Sequence, residues 1–292
     1  MLASFTPLLM LAFFGVTASV GLIGAALFMG TPVYPILVVT FGMIVFCVYG
    51  INRFTDVEDL LNDPQKRLFF QKNKYLLGVV VTLLTASLVS LYLTNRLTVV
   101  HLLIVVVGTF YSVGLIPPLR KGGAAKLLRL KDITFLKSLS VTITLGSAFF
   151  AINWLVYPQA VADPLKVSLV IISCMLVVFV NTNFCDIRDV DGDRASGVPT
   201  IPARFGVART VLFGMALPTL VWLAVVAALA AIGTIGPVLG VFFLLNAAYP
   251  VVYLGAHFRS TMNRRLVSLT ADASVLLFAF GLVALHLVEK IA

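Results

Sequence analysis

Nine apolar segments, each long enough to cross a lipid bilayer, occupy most of this 292-residue chain. A spanning helix needs about 20 consecutive apolar residues, because the hydrocarbon core is about 30 Å thick. Only 11% of the residues are charged, against about 25% in soluble domains. We therefore predict an all-α polytopic membrane protein with nine transmembrane helices, and we exclude a soluble enzyme, a disordered chain and a disulfide scaffold. The predicted spans are 7–29, 33–51, 75–94, 97–118, 135–157, 164–184, 209–232, 235–257 and 268–288.

Lysine and arginine are distributed very unevenly among the connections between these spans. The connections after the second, fourth, sixth and eighth spans share one side with the N-terminus and hold 18 of the 21 basic residues. The other three are Arg96, Lys166 and Lys290. The positive-inside rule then predicts a multi-pass inner-membrane protein whose N-terminus and four basic connections are cytoplasmic. We interpret the net charge of +9 as this topology signal and as an attraction for anionic substrates or membrane lipids, with no nucleic-acid partner.

Eight of the 12 acidic residues form two clusters on that same predicted side. The first cluster follows the second span and contains Asp56, Glu58, Asp59 and Asp63. The second follows the sixth span and contains Asp186, Asp189, Asp191 and Asp193. Because four spans separate the two clusters, both preceding helices arrive in the same orientation. We therefore predict a single domain over residues 1–292, built from two parallel four-helix halves and a ninth helix.

Within each cluster, helical periodicity places several oxygen-bearing side chains on one face, which we call a stripe. The first stripe consists of Asn52, Asp56, Asp59 and Asp63, and the second of Asp186, Asp189 and Asp193. Like charges at this spacing repel each other, so a bound cation is a reason to keep them there. Oxygen ligands suit Mg²⁺, Ca²⁺ or Mn²⁺, and Mg²⁺ completes its shell with water and substrate phosphates. Two such stripes among basic residues predict a clamp for a diphosphate.

Both acidic clusters resemble motifs of the UbiA superfamily of intramembrane prenyltransferases. The resemblance is carried by Asn52-x-x-x-Asp56 after the second span and Asp189-x-x-x-Asp193 after the sixth. The stretch Gly197–Gly206 and the basic Arg129-Leu-Lys131 before the fifth span are also similar to that family. The resemblance covers essentially the whole chain, with both motifs in order.

The resemblance implies transfer of a prenyl group from a polyprenyl diphosphate, inside a helix bundle whose central cavity excludes water. Two Mg²⁺ ions, one per stripe, would bind with the diphosphate and stabilise it as a leaving group. Asp56 and Asp189 are the expected catalytic carboxylates, with Lys131 and Arg188 as the catalytic cations. The expected substrate contacts are Asn52, Lys66, Arg67, Arg129, Lys131, Arg188 and Tyr111.

The first motif departs from the usual family pattern. In that pattern the second acid would fall at position 60, which is Leu60 in this chain. The nearest acid is Asp59, one residue earlier, and Glu58 stands beside it. At about 100° per residue, Asp59 lies on the stripe and Glu58 lies off it. We therefore expect Asp59, not Glu58, to be the metal ligand.

The identity of the acceptor stays open at this point. We expect an aromatic molecule or a quinone precursor. Within the same fold, the alternatives are a glycerol-phosphate lipid acceptor or a terpene cyclase that needs no acceptor. A cation-coupled transporter is a remote alternative, because transporters place their acids near the membrane midplane and these acids lie at helix ends.

The charge distribution predicts which connections face the cytoplasm. Single cysteines introduced by Leu60→Cys and Ala195→Cys should resist an impermeant thiol reagent added outside sealed cells, because both positions lie in basic connections. Ala162→Cys, in a connection on the other side, is the matched control and should react. Labelling of position 60 or 195 from outside would contradict the nine-span topology.

Overall fold

The computed structural model describes residues 2–55, 64–114, 127–160, 163–258 and 264–291. In this part of the chain, every regular element is a helix apart from one isolated bridge residue. Eight of these helices are long and apolar enough to cross a membrane. The predicted all-α, polytopic architecture is therefore confirmed.

The helices are numbered here in chain order. The first five are α1 (Leu2–Met29), α2 (Pro35–Thr55), α3 (Pro64–Lys72), α4 (Tyr75–Leu93) and α5 (Val99–Ser112). A 3₁₀ turn, Leu130–Asp132, precedes α6 (Leu136–Val156) and α7 (Pro164–Arg188). The remaining helices are α8 (Val190–Ser196), α9 (Ile201–Phe205), α10 (Val207–Ala231), α11 (Pro237–Phe258) and α12 (Arg264–Ile291).

The predicted fourth span is shorter in the structure than in the sequence analysis. Helix α5 has 14 residues, about 21 Å at 1.5 Å per residue, and this is less than the hydrocarbon thickness of about 30 Å. It ends because Val113 adopts an extended conformation (φ −99°, ψ 129°). The remainder of the predicted span, 115–118, lies outside the described residues. The count of nine crossing helices is therefore not confirmed.

Six helices pack side by side around the interior of the bundle. Neighbouring contacts run from α1 to α2, then through α5, α6, α7 and α12 back to α1. Helix α4 packs against α2, while α10 and α11 add to the side formed by α7 and α12. Phe41, Phe149 and Phe150 fill the core and are almost completely buried. The division into two parallel halves stays a prediction.

The two ends of the bundle differ in their chemistry. The motif end is the one where α2 ends at Thr55 and α7 ends at Arg188. At the opposite end, the Arg96 guanidinium lies 3.5 Å from the ring centroid of Tyr34 and donates a 2.6 Å hydrogen bond to the Tyr157 hydroxyl. The two tyrosine rings are stacked at 5.6 Å. This cluster joins three connections of the opposite end through a cation–π contact.

A close approach between α6 and α7 brings their ends together at the motif end. Gly146 on α6 faces the backbone of Met175 on α7 so closely that an added Cβ would lie 2.8 Å from the Met175 Cα. Small residues at helix contacts allow such approach in membrane proteins. Since Gly146 has no side chain, α6 and α7 can hold Lys137 and Asp186 in direct contact.

We expect Gly146→Ala to destabilise the protein by about 1–3 kcal/mol, because the added methyl group meets backbone that cannot shift without moving a helix. Thermal unfolding in detergent, followed by intrinsic fluorescence, measures this change. Gly240→Ala on α11 is the matched control, since a Cβ built there has no contact within 4 Å beyond the adjacent residues and the backbone of its own helix. An equal effect of the two substitutions would contradict the importance of the α6–α7 contact.

Candidate active site

The second acidic cluster forms a buried ion cluster at the motif end. Lys137, in the first turn of α6, places its Nζ 2.7 Å from Asp186 Oδ1 and 3.3 Å from Asp193 Oδ2. The neighbouring Ser138 hydroxyl donates a 3.2 Å hydrogen bond to Asp186 Oδ2. We call Lys137, Ser138, Asp186 and Asp193 the ion cluster. It joins three elements, since α6 supplies the cation and α7 and α8 supply one carboxylate each.

The ion cluster contains more negative than positive charge. Asp186 and Asp193 are 4% and 1% exposed, and one ammonium group bridges them. Burial raises the pKa of Asp193 to about 6; the Lys137 ammonium opposes this effect and the Asp186 carboxylate adds to it. Burying ionised carboxylates costs free energy unless they are paired or bind a cation. The two carboxylates together therefore suit a divalent cation, and in this structure Lys137 is the cation that pairs with both.

The third member of the second stripe, Asp189, pairs with the neighbouring Arg188 and lies within electrostatic range of Asp193. The α-helix breaks at Asp189 (φ −99°, ψ 8°), and α8 continues in a new segment. Asp189 accepts two 2.8 Å hydrogen bonds from the Nε and Nη2 atoms of Arg188. These two side chains are about 30% exposed, so they lie at the surface of the site. Asp191 is exposed, in agreement with its predicted position off the stripe.

Of the first stripe, the structure describes Asn52 alone. Its amide contacts the Ser112 hydroxyl at 2.7 Å and so joins α2 to the end of α5. The hydrogen-bond network favours the orientation in which the amide nitrogen donates to Ser112 Oγ and to the carbonyls of Gly108 and Val48. The side chains of Asp56, Glu58, Asp59, Asp63 and Lys66 lie outside the described residues. Their placement stays a prediction.

Lys131 and Tyr111 lie together beside the ion cluster. Lys131 is only 2% exposed, and its Nζ is 5.7 Å from the ring centroid of Tyr111. Tyr111 is also within electrostatic range of Lys137. Arg129 makes a bidentate ion pair with Asp132, with Nη2 2.7 Å from Oδ1 and Nε 3.1 Å from Oδ2. Arg129 thus stabilises the 3₁₀ turn that carries Lys131.

A cavity of about 90 Å³ lies between α2, α5 and α6. Asn52 and Tyr111 line it at the motif end, so it joins the first motif to the residues around Lys131. Its other lining residues are aliphatic or carry a hydroxyl: Val48, Tyr49, Ile104, Val107, Gly108, Ser140, Val141, Thr144 and Leu145. The cavity is therefore largely apolar, with a few hydroxyl and amide groups that can form hydrogen bonds.

Arg67 lies at a different cavity from Asn52 and Tyr111. Its Nη1 donates to the carbonyls of Arg53 and Phe54, at 3.4 and 2.8 Å, and so caps the end of α2. The cavity has a volume of about 370 Å³ and is lined by Phe54, Arg67, Phe70, Gln71 and Lys74. Arg67 is therefore placed to hold α3 against α2, and the structure does not bring it into the ion cluster.

Lys137 and Ser138 are the site residues that the sequence analysis missed. Lys137 was counted among the basic residues that set the topology. A signal existed, because Lys137 stands in the first turn of an apolar helix, six residues after Lys131, where a lysine side chain must leave the hydrocarbon or find a partner. The identity of that partner depends on helix packing.

The described residues contain no group of three or more carboxylate, histidine or cysteine side chains that could hold a metal ion. Mg²⁺ needs only one or two protein carboxylates when substrate phosphates complete its shell. Asp186 and Asp193 form such a pair, with all-oxygen donors and an excess of negative charge. This part of the chain therefore fits one Mg²⁺ ion bound together with a diphosphate.

A family model described as the UbiA prenyltransferase family matches residues 64–269. The chain belongs to the UbiA prenyltransferase family. It is thus a prenyltransferase and an integral membrane protein. The matched range includes the ion cluster, Arg129, Lys131 and Tyr111, and it begins just after the first acidic cluster.

Two solved structures share this fold. One is the apo structure of a UbiA homolog from Aeropyrum pernix K1, with 17% identity, a TM-score of 0.56, and coverage of 96% of this chain and 98% of that one. The other comes from work on digeranylgeranylglyceryl phosphate synthase in membranes, with 15% identity, a TM-score of 0.55, and coverage of 98% and 97%. A search of curated proteins found no match. At 17% and 15% sequence identity, these similarities show the fold alone.

Two neighbouring acids on α8 test the importance of the ion cluster. We expect Asp193→Asn to lower the rate of prenyl transfer by about 100-fold, because it removes the negative charge of a buried carboxylate that would bind the metal ion. Asp191→Asn, two residues away on the exposed face, should leave the rate within about twofold. The readout is the initial rate of diphosphate release by purified protein. Equal rates for the two variants would show that the cluster has no part in turnover.

Proposed function

We propose that this prenyltransferase transfers a prenyl group from a polyprenyl diphosphate to an aromatic or quinone-precursor acceptor, with Mg²⁺ bound at its two acidic motifs. The supporting observation is the ion cluster, in which Lys137 joins two buried carboxylates and lies within electrostatic range of Tyr111, a residue that lines the apolar cavity and contacts Lys131. We also propose that the motif end faces the cytoplasm, on the strength of its basic connections.

The reaction begins with heterolysis of the allylic C–O bond of the donor. The electron pair leaves with the diphosphate, so negative charge grows on the leaving group and positive charge grows on the allylic carbon. When bound, Mg²⁺ would neutralise charge on the diphosphate oxygens at Asp186, Asp193 and the predicted first motif. Lys131 would assist in the same task, and this role is supported by the Arg129–Asp132 ion pair, which fixes the turn that carries Lys131. Fixed cations lower the barrier since they need no reorganisation during the reaction.

The allylic carbon then reacts within the cavity. Tyr111 presents an aromatic face there, and such faces attract cations. The aliphatic lining residues, such as Val107 and Leu145, keep water away from the carbocation. The acceptor carbon donates an electron pair to the allylic carbon and afterwards loses its proton. Exclusion of water is what makes prenyl transfer, and not hydrolysis, the outcome.

The cavity lining supports an aromatic acceptor. In its described lining, the polar groups are the Asn52 amide and the hydroxyls of tyrosine, serine and threonine residues, and there is no lysine or arginine. Such a surface suits an uncharged aromatic ring with a hydroxyl substituent better than a phosphate group. One observation favours the glycerol-phosphate alternative: the fold is similar to that of a solved structure from work on digeranylgeranylglyceryl phosphate synthase.

The test is to incubate the purified protein with Mg²⁺, geranylgeranyl diphosphate and a panel of acceptors, and to identify products by mass spectrometry. We expect a prenylated aromatic product that disappears in EDTA and in the Asp56→Ala and Asp189→Ala variants, because each variant removes a negative charge from the predicted metal sites. A prenylated glycerol phosphate, or a cyclised product without an acceptor, would assign the chain to the corresponding alternative. Full activity in EDTA would contradict the metal-dependent mechanism.

A further inference from the structure

Lys137 occupies the place between two carboxylates where a divalent cation would bind. Its Nζ lies within 2.7 and 3.3 Å of oxygens from Asp186 and Asp193, one at the end of α7 and one in α8. An ammonium group has three hydrogen-bond donors and can make both contacts at once. Mg²⁺ would bind the same oxygens at about 2.0–2.1 Å. The ammonium and the metal ion cannot both occupy that place, and at such short range they repel each other.

The ion pair is held firmly on the carboxylate side and loosely on the lysine side. Asp186 is buried and also accepts a hydrogen bond from Ser138. The Lys137 side chain is 18% exposed and has a flexible four-carbon stem. The lysine can therefore leave the carboxylates without unfolding the site. Tyr111 lies within electrostatic range of Lys137, and the Lys131 Nζ is 5.7 Å from the Tyr111 ring centroid. A diphosphate bound near Lys131 and Tyr111 is therefore close to Lys137.

We propose that Lys137 is an internal counter-ion that competes with the divalent metal until the diphosphate arrives. In the free protein, the ammonium holds Asp186 and Asp193 together and keeps metal affinity low. When the diphosphate binds, the Lys137 ammonium forms an ion pair with it, and the two carboxylates become available to the metal ion. Metal and diphosphate binding are thereby coupled, and the coupling is reciprocal by thermodynamic necessity.

This inference rests on the proposed function, since it takes Asp186 and Asp193 as metal ligands. It goes further in stating why the free protein binds metal weakly and why the donor and the metal bind together. A purely structural role for Lys137 makes a different prediction. In that case, removal of the ammonium would disturb the carboxylates and weaken metal binding.

The experiment is a titration of purified protein with Mn²⁺ alone, followed by the EPR signal of free Mn²⁺. We expect Lys137→Gln to bind Mn²⁺ at least about tenfold more tightly than the unmodified protein, because the competing charge is gone. Lys166→Gln, which removes a cation from the opposite end, is the matched control and should leave the affinity unchanged. Unchanged or weaker Mn²⁺ binding by Lys137→Gln would overturn the proposal.

The first acidic cluster also binds Mn²⁺ in our proposal, so its contribution must be separated. The gain caused by Lys137→Gln should vanish when Asp193→Asn is added, and a gain that persists would place the effect elsewhere and overturn the proposal. If Lys137→Gln does not fold, the unmodified protein still provides a test. Inorganic pyrophosphate should raise the amount of Mn²⁺ bound to the protein at least about tenfold, after subtraction of the Mn²⁺ that pyrophosphate binds in a mixture without protein. No increase would overturn the proposal.

The same titration distinguishes this inference from the proposed function. If no variant binds Mn²⁺, with or without pyrophosphate, both the metal-dependent mechanism and the role of Lys137 are wrong. If the unmodified protein and Lys137→Gln bind Mn²⁺ equally well, the metal site stands and the counter-ion role is wrong.

Discussion

A charge buried inside a membrane protein must find a partner, because the hydrocarbon around it offers no water. This constraint governs the motif end of the bundle. Asp186 can remain buried at the end of α7 because Lys137 reaches it from α6, and the two helices are close enough because Gly146 has no side chain. The packing of apolar helices and the chemistry of the site therefore depend on the same contact. Replacing Lys137 by an apolar residue would leave two carboxylates with the cost of burial and without their partner.

The sequence predicts the membrane-spanning helices because apolar runs are a local property, and it locates the acidic motifs at the ends of two of them. Apolar runs predict the spans, and the acids of the second motif stand at the end of one of them. Asp191 could be placed off the stripe from helical periodicity alone, and it is exposed. The pairing of Arg129 with Asp132 is also local, because Arg129 is the N-cap residue of the 3₁₀ turn and its backbone N–H donates to the Asp132 carboxylate as well.

Other features of the site depend on packing between distant segments and could not be predicted. The Lys137–Asp186 contact joins residues 49 positions apart, and only the approach of α6 to α7 brings it about. The break at Asp189 is a second case, since no proline marks it and the periodicity of the second stripe predicts an uninterrupted helix. The short α5 is a third case. The hydropathy of 97–118 continues past Ser112, but the backbone becomes extended at Val113.

The Arg96 cluster at the opposite end has a mechanical consequence. It joins the α1–α2, α4–α5 and α6–α7 connections through one guanidinium and two stacked rings. Because these contacts hold the helices together at one end, the helices can separate more easily at the other end. A long prenyl chain requires far more room than the 90 Å³ cavity provides. Any widening of the bundle for a prenyl chain is therefore directed to the motif end, where the diphosphate binds in our proposal, because the Arg96 cluster holds the other end together.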